Sequence, residues 1–304
     1  MTAQRKVQQF LERPLRPSRP GAPRTKGTLV IIGGHEDRHG EKRILRAVAD
    51  RLGDDGKIVV CTAASAEPDD LWEEYEAAFR ALDVPHVFRL DVDSRNDASG
   101  PRAMRILEGA SGVFFTGGDQ LKITSQIGDT PVFSRTVEIY EQGGVIAGTS
   151  AGASAMSETM MVANEGDASY RIKSALLMAP GLGLARDMLI DQHFAERGRM
   201  SRLIGAVTQN PRVLGIGIDE NTAMIVEREQ EFHVLGEGAV YVVDASKTTY
   251  SNLAEEQADR TLSSFGLTIH MMSQGDEFDL ETRTPTAHPA ESMEREAVGA
   301  DGDE

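Results

Sequence analysis

Ser150 stands in Gly148-Thr149-Ser150-Ala151-Gly152, a G-x-S-x-G run entered from the apolar stretch Val145-Ile146-Ala147 and left through Ala153-Ser154-Ala155. A serine on a sharp strand-to-helix turn has its hydroxyl lifted clear of the sheet, and the flanking glycines remove side chains that would clash there. The next backbone N–H then lies where an oxyanion would develop. The chemistry indicated is attack on a carbonyl through an acyl-enzyme, which needs a base and an acid to orient it.

The chain offers seven histidines: His35, His39, His86, His193, His233, His270 and His288. His86 and His233 fall in expected strands, His270 in the last apolar run and His288 in an acidic tail. His193 differs. It follows Leu189-Ile190-Asp191-Gln192, where an apolar run breaks into polar residues ahead of a helix expected over 196–209. Such an edge can fix an imidazole and still leave it facing a cleft. The orienting acid is open between Asp219 and Glu220, which end the apolar run 213–218, and Asp191. A further Gly-marked strand end, Phe114-Phe115-Thr116-Gly117-Gly118-Asp119-Gln120, lacks the lysine of a phosphate-binding loop. Its paired glycines suit close approach of backbone N–H groups to an oxyanion.

His35-Glu36-Asp37-Arg38-His39 formally matches H-E-x-x-H, the zinc-protease signature. That motif works when both histidines share one face of an established helix. Here it directly follows Gly33-Gly34 at a strand end, so neither a metal nor a cofactor is expected. Glu36 and Asp37 are read instead as negative charge at the rim of the site.

These groups need a frame, and the apolar pattern supplies one. Strands are expected at 28–32, 57–62, 86–90, 112–116 and 144–147, with amphipathic helices at 41–52 and 69–82 among the segments between them. Strands apolar on both faces, separated by helices, imply a parallel sheet covered on both sides. Functional groups then gather at the carboxyl ends of the strands. Short strands at 213–218, 223–226, 232–235 and 239–243 read as an antiparallel extension. Cys61 falls in the second strand as a buried residue. One α/β domain is expected over 27–275. Residues 1–26, with seven basic groups against one acidic and Pro14, Pro17, Pro20 and Pro23, read as a flexible arm, and 276–304, with ten acidic against two basic, as a disordered tail.

The 304 residues carry a formal net charge of −16, which disfavours a phosphate backbone or an anionic membrane as partner. A single cysteine excludes an internal disulfide framework, and no apolar stretch approaches a membrane span. The N-terminus lacks the apolar segment of a secretory signal, so a cytoplasmic setting is expected.

Taken together, Ile31-Ile32-Gly33-Gly34 with Glu36-Asp37, Phe115-Thr116-Gly117-Gly118-Asp119-Gln120, Gly148 to Ala153, Asp191-Gln192-His193-Phe194, Arg197 to Arg202 and Gly215 to Ala223 resemble the cyanophycinase family of serine peptidases, relatives of aspartyl dipeptidase (peptidase E). The resemblance spans roughly 27–275. It implies an α/β fold, a three-layer sandwich with a mostly parallel central sheet like the class I glutamine amidotransferases, Ser150 replacing their cysteine. It implies a triad of Ser150, His193 and Glu220, with Gly118 and Ala151 as oxyanion donors. The substrate it implies is cyanophycin, a polyaspartate bearing arginine on its side-chain carboxyls, cut in its backbone to release β-aspartyl-arginine. Gln192 and Arg202 would contact that substrate, with Glu36, Asp37 and Asp119 as weaker candidates for its guanidinium. The resemblance also implies a homodimer and no cofactor. His35 departs from it, because a small residue is more usual there. The rival readings are a dipeptidase for short peptides with N-terminal aspartate, and a non-catalytic binding protein of the same fold.

Overall fold

The segment Thr-Leu-Val-Ile-Ile forms β1 (Thr28–Ile32), buried from Leu29 to Ile32 with only Thr28 partly exposed. Leu29 and Ile31 point into one core layer with Val113, Phe115 and Ile146, while Val30 and Ile32 point into the other with Val60, Phe114 and Ala147. Alternate side chains of one strand thus fill two separate layers, the reason its sequence is continuously apolar. The computed structural model describes residues 26–162, 176–255 and 260–288.

After β1 come α1 (Arg43–Ala49), β2 (Lys57–Cys61), α2 (Pro68–Arg80), β3 (His86–Leu90), α3 (Arg95–Ser99), α4 (Pro101–Leu107) and β4 (Gly112–Phe115). The chain continues through α5 (Gln120–Ile127), α6 (Pro131–Glu141), β5 (Val145–Thr149) and α7 (Ala151–Ala155). Then follow β6 (Thr159–Val162), β7 (Leu177–Pro180), β8 (Met188–Gln192), α8 (Met200–Gln209), β9 (Leu214–Ile218), β10 (Thr222–Glu227) and β11 (Glu231–Gly236). Last are β12 (Val240–Asp244), β13 (Tyr250–Ser251), β14 (Ser264–Phe265), β15 (Thr268–Met272), β16 (Glu277–Asp279) and β17 (Thr284–Thr286). Cys61 ends β2 fully buried, and burial pushes its thiol up to about 12.

The main sheet has nine strands in the order β17-β16-β11-β10-β1-β5-β4-β2-β3. β1, β5, β4, β2 and β3 are parallel, and β10, β11, β16 and β17 extend the sheet antiparallel. The sheet is therefore mixed rather than mostly parallel. Short hairpins dictate this: the three residues between β10 and β11, with Arg228 and Glu229 at positive φ, leave no room for a crossover. The parallel half is covered by α1 and α2 on one face and by α4, α5, α6 and α7 on the other.

The expected antiparallel extension is split between two sheets. β9 and β12 leave the main sheet and join β8 and β15 in a four-stranded sheet of order β15-β12-β9-β8. The sequence of β9, Leu-Gly-Ile-Gly-Ile, explains why. Leu214, Ile216 and Ile218 pack onto Met224, Val226 and Phe232 of the main sheet. The opposite face is glycine, and a Cβ at Gly215 would lie 2.6 Å from Val207, one at Gly217 2.5 Å from the Phe194 ring. That bare face lets α8 and Phe194 close on the strand, with Leu189, Leu203 and Val243 beside them.

The carboxyl-terminal segment expected as a tail from 276 is part of the fold up to Thr286. β16 pairs with β11, and buried Phe278 stacks on Phe232 with ring centroids 5.3 Å apart. One aromatic residue in an acidic context is enough to anchor a short edge strand, and composition averaged over the segment hides it. The arm, apart from Lys26, and residues beyond 288 lie outside the described residues. Phe278→Ala is expected to lower unfolding free energy by about 3 kcal/mol, read as an earlier urea midpoint. An unchanged midpoint would mean that β16 contributes no packing.

Candidate functional site

β1, β4, β5, β8 and β9 all end at one edge of the molecule, and the candidate residues lie on the turns that leave them. Ser150 follows β5 at φ 52 and ψ −112, and its N–H donates to Ile32 O at 3.0 Å. A positive φ is a strained setting for a residue with a Cβ. The turn places its Oγ 2.9 Å from His193 Nε2. His193 follows β8, also at positive φ, with its N–H on Gly33 O at 2.8 Å. Its Nδ1 is 2.6 Å from Glu220 Oε1.

Of the three acids left open by residue type, Glu220 is the one whose carboxylate reaches the imidazole. Asp219 instead accepts the backbone N–H groups of Ala195 at 2.9 Å and Ala239 at 3.0 Å, tying two loops together. Asp191 faces Arg199 and Arg202.

Burial lowers the His193 imidazole pKa below the usual range, an effect the Glu220 hydrogen bond opposes. For Glu220 desolvation works against ionisation, but hydrogen bonds from His193 and His35 outweigh it and hold the carboxyl below its ordinary value. An ionised carboxylate only accepts, so the proton between the two sits on Nδ1 and Nε2 is free to take the serine proton. That tautomer is the one a general base requires.

Gly33 and Gly34 matter through what they leave out. The Gly33-Gly34 turn runs beneath the imidazole, and a Cβ at Gly34 would fall 2.3 Å from His193 Cε1. Gly34 O accepts the Asn221 N–H at 2.8 Å, so the same turn also fixes the loop that carries Glu220. Gly118 adopts φ 137, and a Cβ there would meet Ala64 O at 2.0 Å. Ala151 opens α7, so its N–H has no carbonyl within the helix to bond. A Cβ on Gly117 would sit 3.4 Å from Ser150 Cβ, which puts this turn against the nucleophile turn.

Two expectations for substrate contact are corrected. Glu36 is not at the rim: it is 3 % exposed, its carboxylate accepting from Tyr75 OH and, at 2.6 Å, from Thr149 Oγ1. It pins the residue before the nucleophile to α2. Asp37 organises its own loop. It accepts the backbone N–H groups of Lys42, Gly40 and His39, which together hold its carboxyl down to about 2. Asp119 is exposed, and its side chain caps α5 by accepting from Leu121 N at 2.9 Å. The segment from His35 to Lys42 contains no helix, so His35 and His39 share no helix face.

Gln192 and Arg202 lie beside the triad in a buried cluster. Arg202 forks onto Asp191, with Nε at 2.6 Å from Oδ2. Arg199, missed in the sequence, donates to Asp191 at 3.1 Å and to Gln192 Oε1 at 3.0 Å. Two guanidinium groups share one buried carboxylate, which leaves the cluster locally positive. His35, which stood out in the sequence only as a departure from the family pattern, reaches the triad: its Nδ1 lies 2.8 Å from Glu220 Oε2, and its ring meets the His193 ring edge-on at 5.0 Å. Its neighbouring Gly-Gly pair was the available signal. Among the described residues no helix is long and apolar enough to cross a membrane.

The model of peptidase family S51 matches residues 29–235. A cyanophycinase of Trichormus variabilis is 39 % identical over 272 residues, covering 87 % of this chain and 90 % of that protein. The cyanophycinase of Geminocystis herdmanii is 32 % identical over 264 residues, covering 86 % and 97 %. Among solved structures, a peptidase from an acI-B1 Actinobacterium superposes with a TM-score of 0.64 at 20 % identity, covering 84 % of this chain and 98 % of that one. This last likeness bears on the fold alone.

Proposed function

The chain belongs to peptidase family S51, a family of serine-type hydrolases, and on that premise we propose that it hydrolyses cyanophycin, cutting the polyaspartate backbone to release β-aspartyl-arginine. The observation that carries the reading is the unbroken run of short contacts Ser150 Oγ to His193 Nε2 to Glu220 at 2.9 and 2.6 Å. In this mechanism His193 takes the hydroxyl proton as Ser150 attacks an aspartyl carbonyl. Glu220 stabilises the imidazolium and keeps it oriented. The N–H groups of Gly118 and Ala151 receive the oxyanion, and His193 then protonates the leaving amine. Water hydrolyses the acyl-enzyme by the same route in reverse. No residue in this sequence of steps calls for a metal or an organic cofactor.

Each repeat of the polymer carries a free carboxylate and a guanidinium. The surplus positive charge of Arg199 and Arg202 over Asp191 supports the reading that this cluster, with Gln192, receives the carboxylate. Asp119 remains a candidate for the guanidinium, being exposed at the mouth of the Gly117-Gly118 turn. We further propose a fold of the class I glutamine amidotransferase kind, supported by a nucleophile at the end of a central parallel strand. A cytoplasmic homodimer completes the proposal, with exposed Ile269 and Met271 on the outer strand β15 supporting self-association.

Incubation with insoluble cyanophycin, followed by mass spectrometry of the supernatant, is expected to yield the β-aspartyl-arginine dipeptide. Turnover of Asp-Leu with no release from the polymer would overturn the polymer reading in favour of a dipeptidase.

A further inference from the structure

We propose that His35, His193 and Glu220 form an inhibitory zinc site, in which the ion bridges a histidine outside the triad to the two triad residues behind the serine. One donor atom from each of the three lies within 4.8 Å of the other two. Two imidazoles and one carboxylate, with water in the fourth position, are a ligand set that zinc takes readily. The three residues come from the turns after β1, β8 and β9, so the fold has already gathered them.

The present contacts are those of hydrogen bonds, 2.8 Å from His35 to Oε2 and 2.6 Å from His193 to Oε1. Ligands around zinc with bonds of about 2.0 Å stand roughly 3.3 Å apart, so the groups must open by about half an ångström. His35 can move that far, because its side chain is 68 % exposed, and Glu220 is 28 % exposed. His193 is held by Gly34 and stays still. The charges around the site are balanced. Glu196 adds a negative charge through its contact with the Glu220 N–H, Arg197 opposes a cation, and Arg38 is engaged by Glu74 at 2.8 Å.

When the ion binds, the ring proton of His193 moves by way of solvent from Nδ1 to Nε2, and a nitrogen–metal bond at Nδ1 replaces the contact with Glu220. Nε2 then carries the ring proton and cannot accept that of Ser150. The carboxylate is neutralised at the same time and cannot stabilise an imidazolium. The serine itself is untouched, so removal of the ion restores activity. This arrangement differs from the H-E-x-x-H reading of the same segment, in which His39 would be the second ligand.

The test uses chelator-treated full-length protein. Competition against a chromogenic chelator, on the Ser150→Ala background, is expected to report one zinc ion per chain. His35→Asn is expected to weaken that binding roughly 100-fold, since a ligand is lost, whereas His39→Asn leaves it as it was. Asparagine is chosen because it tolerates the positive φ of residue 35. With active enzyme, zinc is expected to inhibit hydrolysis reversibly, and His35→Asn to shift the inhibition curve by a comparable factor relative to its own zinc-free rate. Equal affinity with and without His35, no binding at millimolar zinc, or an equal loss in His39→Asn would overturn the site. The inhibition arm rests on the proposed activity and the binding arm does not, so the two can fail separately.

Discussion

Ser150→Ala is expected to lower kcat on cyanophycin about a million-fold with little change in KM. The loss corresponds to about 8 kcal/mol of transition-state stabilisation, more than any residue that only binds or orients could supply. Its size follows from the mechanism. Without the hydroxyl there is no acyl-enzyme, and the remaining rate is what an oxyanion hole and bound water achieve alone. The fold should not change, because among the described residues Ser150 Oγ bonds only His193, and the turn is held by its backbone N–H on Ile32 O. The measurement is dipeptide release over hours, set beside a urea melt of the same variant. A rate within about tenfold of the parent, with an unchanged melt, would remove Ser150 from the chemistry. The backbone offers a second check. Residue 150 holds φ 52 and ψ −112 against its own steric preference, so Ser150→Gly should be more stable by about 1 kcal/mol while equally inactive.

The parts of the site legible in the sequence were those whose signal is local. A buried strand, a G-x-S-x-G turn and a small-residue helix are consecutive in the chain, so Ser150 could be placed before any tertiary information. The same holds for the parallel half of the sheet, where doubly buried strands read as continuous apolar runs. What the sequence did not disclose depends on contacts between distant turns. Whether Asp191, Asp219 or Glu220 meets His193 is decided by how the β8 and β9 exits stack over Gly33 and Gly34, and three carboxylates of similar chemistry give no local hint. Glu36 shows the converse. An acid after a Gly-Gly pair reads as exposed charge, yet Tyr75 and Thr149 reach it from α2 and β5 and draw it inside. The edge strand β16 was hidden because one buried phenylalanine is lost in the average of an acidic segment.

His35, Ser150, His193 and Asn221 are all non-glycine residues at positive φ, and they lie together at the carboxyl edge of the two sheets. Each such residue costs on the order of 1 kcal/mol or more, and strain of this kind persists only where the surroundings over-determine it. Here the surroundings are identifiable: Gly33 O and Gly34 O receive the N–H groups of His193 and Asn221, and Ile32 O receives that of Ser150. Three carbonyls from one short turn thus set the positions of the serine, the imidazole and the acid loop. The catalytic geometry is a property of the β1 exit as much as of the residues that perform the reaction.

Glu220→Gln tests that geometry most directly and is expected to lower kcat about 10³-fold. A fully buried orienting acid would give closer to 10⁴, but the Glu220 side chain is 28 % exposed and water screens part of its charge. The amide has one oxygen where the carboxylate has two, and two histidines bond this residue, His193 to Oε1 and His35 to Oε2. If the oxygen turns to His35, the amide N–H₂ faces His193 Nδ1 and forces its proton onto Nε2, where it blocks the base. The pH profile separates this loss of function from a loss of structure. In the parent enzyme burial holds the His193 pKa below the ordinary imidazole value, so the acid limb of kcat/KM lies below about 6.5. Glu220 is the group pulling that value up, and removing its charge moves the limb to still lower pH while the plateau falls. A limb that rises, or a plateau within threefold of the parent, would show that Glu220 neither orients nor stabilises the imidazole. In the double variant His35→Asn with Glu220→Gln, the single oxygen has one fewer competitor, and part of the lost rate should return.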